Sequence, residues 1–210
     1  MEKSREKLEI NRTVNREKRK NAKNQRDTVV ELTTTALVTA VFCVLAPFTI
    51  YLPFSPVGVT FGSFFVYLTA LLLGARKGCI SIALYLCMGF LGIPVFSGYT
   101  AGLGVLLGPT GGFLLGYLPC VIVTGRIMKE TPGGKKGIVR FLLAMLAGTG
   151  VLYLLGTVWF LLVYTKGSSF GEALMTCVLP FLPVDGVKIG VAAVLYQPFT
   201  RFKYRNIQSM

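Results

Sequence analysis

Six apolar segments, separated by short gaps, limit the environments in which this chain can fold. They cover approximately residues 32–52, 60–73, 78–91, 111–128, 138–164 and 183–200. Of the 210 residues, 53% are hydrophobic and only 15% are charged, whereas a soluble domain usually carries about 25% charged residues. Because one soluble core could not bury so much apolar surface, the pattern predicts an all-α membrane protein with six transmembrane helices in the lipid bilayer.

The basic residues predict the orientation of these helices. Ten of the 22 Lys and Arg residues lie between positions 3 and 26, and ten more lie at 76–77, at 126–140 and after position 200. On the opposite side there is only Lys166, while Lys188 lies within the sixth segment. Since basic loops remain in the cytoplasm, both termini are predicted to be cytoplasmic. The net charge of +13 does not predict nucleic-acid binding, because no aromatic residue interleaves with the charges of the tail.

The composition changes at about residue 30. Residues 1–30 are polar and charged, and we expect a basic cytoplasmic tail that is disordered or loosely helical. Residues 31–205 contain the six segments and form the predicted membrane domain. Its outer loops, 53–59 and 92–109, are uncharged and rich in Gly, Pro and aromatic residues, which suits them to folding over an apolar ligand. Residues 171–182 are predicted to form a short helix that dips into the membrane from the outer surface.

Several kinds of chemistry are not predicted. The five cysteines are scattered through apolar stretches of the chain and the sequence has no histidine, so we predict no metal site. The Gly-rich stretches at 108–112 and 132–136 do not match the phosphate-binding loop G-x-x-x-x-G-K-[ST]. If ATP powers the function of this chain, the motor is another polypeptide.

Two ionisable residues, Asp185 and Lys188, are placed inside the membrane near the start of the sixth segment. Because they are three positions apart, they share one face of a helix. A charged residue at the centre of a membrane helix costs roughly 2.5–3.5 kcal/mol on insertion scales, and such residues usually serve a function. We therefore predict a ligand site here, with the alternative that the two charges only neutralise each other.

Two groups of motifs resemble those of a known family. The residues concerned are Ile-Pro-Val-Phe-Ser at 93–97, Gly-Leu-Gly at 102–104, Leu-Gly-Pro-Thr-Gly-Gly at 107–112, and Leu-Pro-Phe-Leu-Pro at 179–183 followed by Asp185 and Lys188. They are similar to the signatures of the BioY family, the biotin-specific substrate-binding (S) components of energy-coupling factor (ECF) transporters. The resemblance covers about residues 31–205 and leaves out the basic tail.

The resemblance implies a six-helix S-component fold in a prokaryotic cell membrane, with biotin as the transported ligand and no cofactor. Asp185 and Lys188 would bind biotin, and Phe113 occupies a position where the family often has Tyr. Some members also use an Asn from the loop between the third and fourth helices, and this chain has no Asn between positions 24 and 206. The loop residues that we assign to the site instead are Phe96, Ser97, Tyr99, Thr100 and Gly102.

The resemblance also implies partners. S components act with a membrane coupling subunit and two ATPase subunits, and they contact the coupling subunit through an Ala-x-x-x-Ala motif. That motif corresponds to Ala36 and Ala40. Small residues at this spacing allow another helix to approach closely, although packing within the chain explains the spacing equally well.

Biotin has groups that suit the two ionisable residues. Asp185 can accept hydrogen bonds from the ureido N–H groups, and Lys188 can donate to the ureido carbonyl or to the ligand carboxylate. A mostly apolar pocket with a few polar groups fits the rest of the molecule. The alternatives are an S component for another vitamin and, from a different class, a membrane-embedded enzyme. Metal-assisted phosphoryl transfer needs several carboxylates, and only Asp185, with Glu172 nearby in sequence, is available.

Overall fold

The computed structural model describes residues 2–50, 59–129, 135–163 and 181–208, together with residues 171, 175, 178 and 179. The chain divides into two compact units, residues 1–37 and residues 38–210. The outer loop predicted at 53–59 lies outside the described residues except for its last position. Most of the short helix predicted at 171–182 lies outside them too.

The first helix, α1 (Glu2–Leu45), includes the basic tail. Residues 2–30, for which we expected disorder or loose helix, are helical over their whole length. No Gly or Pro occurs before Pro47, so nothing in the sequence interrupts the backbone hydrogen bonds of the helix. Pro47 lacks the N–H that would continue the helix, which ends two residues earlier.

The second helix, α2 (Gly62–Phe90), contains both the second and the third predicted segment. It is interrupted at Gly74, whose φ of 72° and ψ of −172° belong to a region that is essentially restricted to glycine. A Cβ atom at this position would meet no heavy atom within 4 Å. The backbone angles, and not crowding, therefore require the glycine. The break divides α2 into two arms, residues 62–73 and 75–90.

The two arms fold back on each other. The ring of Phe42 lies 6.2 Å from the ring of Phe65 in the first arm and 4.3 Å from that of Tyr85 in the second. In an uninterrupted helix, residues 65 and 85 would be about 30 Å apart. A Cβ atom at Gly125 would lie only 2.5 Å from the backbone nitrogen of Ala75. A neighbouring helix therefore passes directly over the break.

Short elements follow α1 and α2. Strand β1 (Thr49–Ile50) pairs antiparallel with β2 (Val59–Thr60). After α2, the chain forms a 3-10 turn (Ser97–Tyr99) and the single-turn helix α3 (Leu103–Leu106). Three longer helices complete the described chain: α4 (Gly111–Met128), α5 (Lys135–Val163) and α6 (Leu182–Gln208). Helix α4 packs between α2 and α5, and α6 packs against both α2 and α5.

The core of the second unit consists mainly of large apolar and aromatic side chains from these helices. Its most deeply buried members are Phe42, Val66, Tyr67, Ile82, Tyr85, Phe96, Val121, Phe141, Met145 and Tyr196. Many other apolar side chains point outward, including Leu84, Leu143, Leu154 and Val194. An outer surface with so much apolar area is typical of a protein surrounded by lipid.

Four described helices are long and apolar enough to cross a membrane: Asn15–Leu45 within α1, Gly62–Phe90, Gly111–Met128 and Gly137–Val163. Helices of this length and hydropathy are those of a multi-pass membrane protein. Six segments were predicted, whereas four described helices meet the criteria for a membrane span. Two of the six predicted segments lie within the single helix α2. The sixth predicted segment lies in α6, which carries Asp185 and Lys188.

Candidate functional site

Asp185 lies in the first turn of α6. Its backbone N–H donates to the carbonyl oxygen of Phe181 at 2.8 Å, and the N–H of Phe181 in turn donates to that of Val178. These bonds fix the turn that precedes the helix. The side chain of Asp185 is buried, with the residue 5% exposed. A carboxylate in the first turn of a helix is stabilised by the positive end of the helix dipole.

Lys188 forms a buried ion pair with Asp185. Its Nζ lies 2.8 Å from Oδ1 of Asp185, and the residue is 8% exposed. The three-residue spacing therefore places both charged groups together on the inner face of α6, as the sequence predicts. Two charges removed from water need further hydrogen bonds to offset their desolvation.

Two other helices provide these hydrogen bonds. The Nζ of Lys188 also donates to Oγ of Ser63 in α2 at 3.0 Å. The hydroxyl of Tyr153 in α5 donates to Oδ2 of Asp185. Each carboxylate oxygen thus has one partner, and the ammonium group has two. The network of Ser63, Tyr153, Asp185 and Lys188 joins three helices that are far apart in sequence.

The network has unused hydrogen-bonding capacity. An ammonium group carries three hydrogens and a carboxylate accepts up to about four hydrogen bonds. Among the described residues, Lys188 donates two hydrogen bonds, and Asp185 accepts two. One donor and two acceptor positions are therefore left for a ligand. The pair has no net charge, so a neutral ligand group with both donors and acceptors would match it best.

The network borders a pocket that encloses about 490 Å³, part of which is open to solvent. The lining combines hydroxyl-bearing and charged side chains with aromatic and aliphatic ones. The described lining residues are Thr60, Ser63, Ser97, Thr110, Phe113, Leu114, Tyr117, Leu152, Tyr153, Phe181, Asp185 and Lys188.

A second polar contact shapes the pocket wall. The hydroxyl groups of Thr60, in β2, and Tyr117, in α4, are 3.3 Å apart. Gly62 leaves the space that the ring of Tyr117 occupies, because a Cβ atom there would overlap the Tyr117 hydroxyl. The loop before α4 is fixed by the indole of Trp159, whose Nε1–H donates to the carbonyl of Gly108 at 3.0 Å. This contact holds the N-terminal end of α4 at the pocket.

Of the loop residues that the sequence assigns to the site, Ser97 lines the pocket. Phe96 is fully buried, with its ring 5.6 Å from that of Tyr85. A Cβ atom at Gly89 would overlap this ring, so Gly89 makes the room that Phe96 fills. Phe96 thus anchors the loop to α2 and does not face the pocket in this structure.

The other three loop residues also lie outside the described pocket lining. Tyr99 is 58% exposed, with its ring 5.9 Å from that of Phe48 and a positive φ of 59°. The carbonyl of Thr100 accepts a hydrogen bond from the N–H of Phe96, which closes the turn. Gly102 has a φ of 91°, and its N–H donates to the carbonyl of Gly89 at 2.7 Å. These three residues shape the loop, and a direct role in binding stays a prediction.

The two alanines assigned to a partner interface are both exposed. Ala36 belongs to the first unit and Ala40 to the second. For metal binding, the described residues contain no group of three or more His, Cys, Asp or Glu side chains that could hold an ion.

Sequence reasoning did not find several residues of the pocket. Ser63 and Tyr153 contact the ion pair, but each lies alone among apolar residues of a long helix, without a spacing that indicates a site. Tyr117, in α4, was missed for the same reason, and Thr60, in β2, likewise belongs to no spacing that indicates a site. Phe181 and Thr110 lie within the two recognised motifs, which could have indicated them.

Comparisons with known proteins agree on one family. A model of the BioY family matches residues 16–205. The biotin transporter BioY of Thermotoga maritima is 35% identical over 146 residues, which are 70% of this chain and 82% of the relative. The biotin transporter BioY of Rhizobium etli is 36% identical over 171 residues, 79% of this chain and 90% of the relative. Lactococcus lactis has a biotin transporter, BioY2, that is 36% identical over 164 residues, 78% of this chain and 86% of the relative.

The fold also matches a solved structure. The crystal structure of the S-component for biotin from an ECF-type ABC transporter superposes with a TM-score of 0.75 and 24% sequence identity. The match covers 84% of this chain and 93% of the other. The chain therefore has the S-component fold, and it belongs to the BioY family.

Proposed function

We propose that this chain is the substrate-binding subunit of a biotin uptake system and captures biotin at the outer face of the membrane. The observation that carries the proposal is the buried Asp185–Lys188 pair at the wall of a pocket that is partly open to solvent, in a member of the BioY family. An ion pair held by two further helices costs free energy to desolvate. A ligand that binds the remaining donor and acceptor positions of this ion pair would explain why the pair is buried at the pocket.

The charge balance of the network favours the ureido group of biotin over its carboxylate. Asp185 and Lys188 cancel, and no other charged residue is found among the described lining residues. A ligand carboxylate at Lys188 would add a buried negative charge, which is costly unless it is paired. The ureido group is neutral, its N–H groups can donate to Asp185, and its carbonyl can accept from Lys188. The apolar lining, which includes Phe113, Leu114 and Leu152, suits the bicycle and the aliphatic chain.

The loop of residues 92–102 is proposed to cover the bound ligand. Ser97 is the residue of this loop that lines the pocket, and Phe96 holds the loop to α2. Tyr99, Thr100 and Gly102 contribute through the shape of the turn, which is held by the hydrogen bonds of Phe96 and Gly102. Closing the loop over biotin would exclude water from the network and strengthen its electrostatic contacts.

The proposed topology has six membrane crossings and cytoplasmic termini. Each arm of α2 would count as one crossing and α6 as another, beside α1, α4 and α5. The basic residues at 76–77, at 126–140 and after position 200 then face the cytoplasm together with the tail. A cysteine introduced at Gly134 should resist a membrane-impermeant reagent applied to intact cells. Labelling of that residue from outside would overturn the topology.

Energy for uptake is proposed to come from partner subunits. The chain contains no P-loop motif, so a membrane coupling subunit with two ATPases would drive release of biotin to the cytoplasm. Ala36 and Ala40 are exposed and four residues apart on α1, a spacing that allows close approach of a helix. We assign this face to the coupling subunit.

Calorimetry on the purified chain in detergent tests the proposal. Biotin should bind with one site per chain, and a panel of other vitamins should compete only weakly. Tight binding of another vitamin would favour the alternative S component while keeping the fold. The alternative of a membrane-embedded enzyme does not fit a chain whose named relatives are transporters.

A further inference from the structure

The N-terminal part of α1 carries a stripe of basic side chains. Its members are Arg16, Arg19, Lys20, Lys23 and Arg26. At about 100° per residue, these five positions fall within an arc of about 120° on the helix. The spacing follows the helical repeat, so the charges form one continuous face and are not distributed around the helix.

These side chains are free to meet a partner. All five are exposed, and among the side chains described from residue 15 onward none of the five forms an ion pair. Two acidic residues, Glu17 and Asp27, lie in the same stretch, while Lys18 adds a further base. Residues 16–27 thus carry six basic and two acidic side chains, and the positive charge dominates.

The stripe begins next to the membrane-spanning part of α1. Val29 and Val30 are 61% and 46% exposed, which marks the start of the apolar surface. With a rise of about 1.5 Å per residue, Arg26 lies about 5 Å and Lys23 about 9 Å along the helix from Val29. Arg19 and Lys20 follow at about 15 Å, whereas bases before position 13 are at least about 25 Å away.

These distances determine which basic side chains can interact with lipid headgroups. The headgroup region is about 6 Å thick on each side of the bilayer, and the Debye length at physiological ionic strength is about 8 Å. Long Lys and Arg side chains add several ångströms of reach. The four bases nearest to Val29 therefore lie within the field of an anionic membrane surface, and the bases near the N-terminus lie beyond it.

We propose that Arg19, Lys20, Lys23 and Arg26 form a binding face for the headgroups of anionic phospholipids at the cytoplasmic surface. Lipid phosphates carry the opposite charge, and clusters of four to eight bases next to a membrane helix are suited to such lipids. The role is distinct from biotin capture, since the pocket uses none of these residues. The positive-inside bias accounts for the sign of these charges, but it requires no preference among lipids.

The test uses the full-length chain in detergent with equal amounts of phosphatidylglycerol and phosphatidylcholine. Mass spectrometry of the protein–lipid complexes gives the ratio of the two retained lipids. The near variant is Arg19→Gln, Lys20→Gln, Lys23→Gln and Arg26→Gln. The matched control is Lys3→Gln, Arg5→Gln, Lys7→Gln and Arg12→Gln. It removes the same amount of charge at positions of α1 that are farther from Val29.

The near variant should retain at least about threefold less phosphatidylglycerol relative to phosphatidylcholine, because each base near an anionic surface contributes about a fivefold factor and the variant removes four of them. The control should change the ratio by less than about 1.5-fold, since its charges lie several Debye lengths away. For the unmodified chain, raising the salt concentration should lower the ratio. Equal losses in both variants, or no loss in the near variant, would overturn the proposal. Biotin binding, measured in parallel, should be the same in all three proteins.

Discussion

Replacing Asp185 and Lys188 singly and together separates a ligand-binding role from a purely structural one. In the structure, Asp185 Oδ1 accepts from Lys188 and Oδ2 accepts from Tyr153, while Lys188 also donates to Ser63. The variants are Asp185→Asn, Lys188→Gln and the double replacement. All three keep the size of the side chains, so the packing around the pocket is preserved.

Each single variant leaves one buried charge without its partner. Asp185→Asn leaves the Lys188 ammonium without a negative partner, and Lys188→Gln leaves the Asp185 carboxylate without a positive one. Both groups are less than a tenth exposed, so water offers little compensation. Removing one partner of a buried pair costs about 3–5 kcal/mol. Both single variants should therefore unfold at a clearly lower temperature than the unmodified chain.

The double variant removes both charges, and a buried pair replaced as a unit is often neutral for stability. Its thermal stability in detergent should return close to that of the unmodified chain. Its biotin affinity should not return, because charge-assisted hydrogen bonds are worth about 1.5–3 kcal/mol each. Loss of even one such bond corresponds to roughly a 10- to 100-fold increase in Kd. Calorimetry measures the Kd, and a thermal-shift assay on the same sample measures stability.

The reasoning fails if the double variant folds and binds biotin with unchanged affinity. Asp185 and Lys188 would then form a structural ion pair, and the search for ligand contacts would move to Ser97, Tyr99 and Thr100. A double variant that stays as unstable as the single variants would contradict the charge-balance argument instead.

Three further predictions concern other parts of the chain. Tyr153→Phe removes the donor to Asp185 and should weaken biotin binding about tenfold by calorimetry, with little change in the far-ultraviolet circular dichroism spectrum. Gly74→Ala should lower the free energy of unfolding by about 1–3 kcal/mol because of its backbone angles, whereas Gly104→Ala, equally uncrowded but without a positive φ, should not. Ala36→Trp combined with Ala40→Trp should prevent co-purification with the coupling subunit, while biotin binding persists. If biotin binding is lost and the complex stays assembled, this face serves internal packing instead.

The charged pair could be predicted from sequence because its signal is local. Asp185 and Lys188 stand out against an apolar background, and their spacing alone places them on one helix face. The structure brings the two charges together as predicted. Ser63 and Tyr153 could not be predicted, since their selection depends on how α2 and α5 pack against α6. One Ser or Tyr in an apolar helix gives no periodic signal.

The sequence predicts a gap between two apolar segments where the structure has the break in α2. It does not predict that a single residue makes the break. The charges at Arg76 and Lys77 separated the two predicted segments, whereas the chain reverses at Gly74, before those charges. The rest of the gap is helical, because the arms need only one residue with glycine-specific angles to fold back. Hydropathy indicates where apolar surface stops, and it does not locate a turn inside a helix.

The loop assignments illustrate a different limit. The motif at 93–97 led to the assignment of Phe96 and Ser97 to the site, and of these two Ser97 lines the pocket. Phe96 packs instead into the space left by Gly89. Whether a loop aromatic faces a ligand or the core depends on a neighbouring helix, and that contact is not encoded in the motif itself.

The most direct test of the central claim identifies the small molecule that the purified chain carries. The full-length protein is isolated from cells grown with biotin, and native mass spectrometry is followed by release and identification of the ligand. We expect one bound biotin per chain in the unmodified protein and none in the Asp185→Asn, Lys188→Gln double variant. Recovery of a different vitamin, or equal recovery of biotin from the double variant, would contradict the assignment of biotin to this pocket.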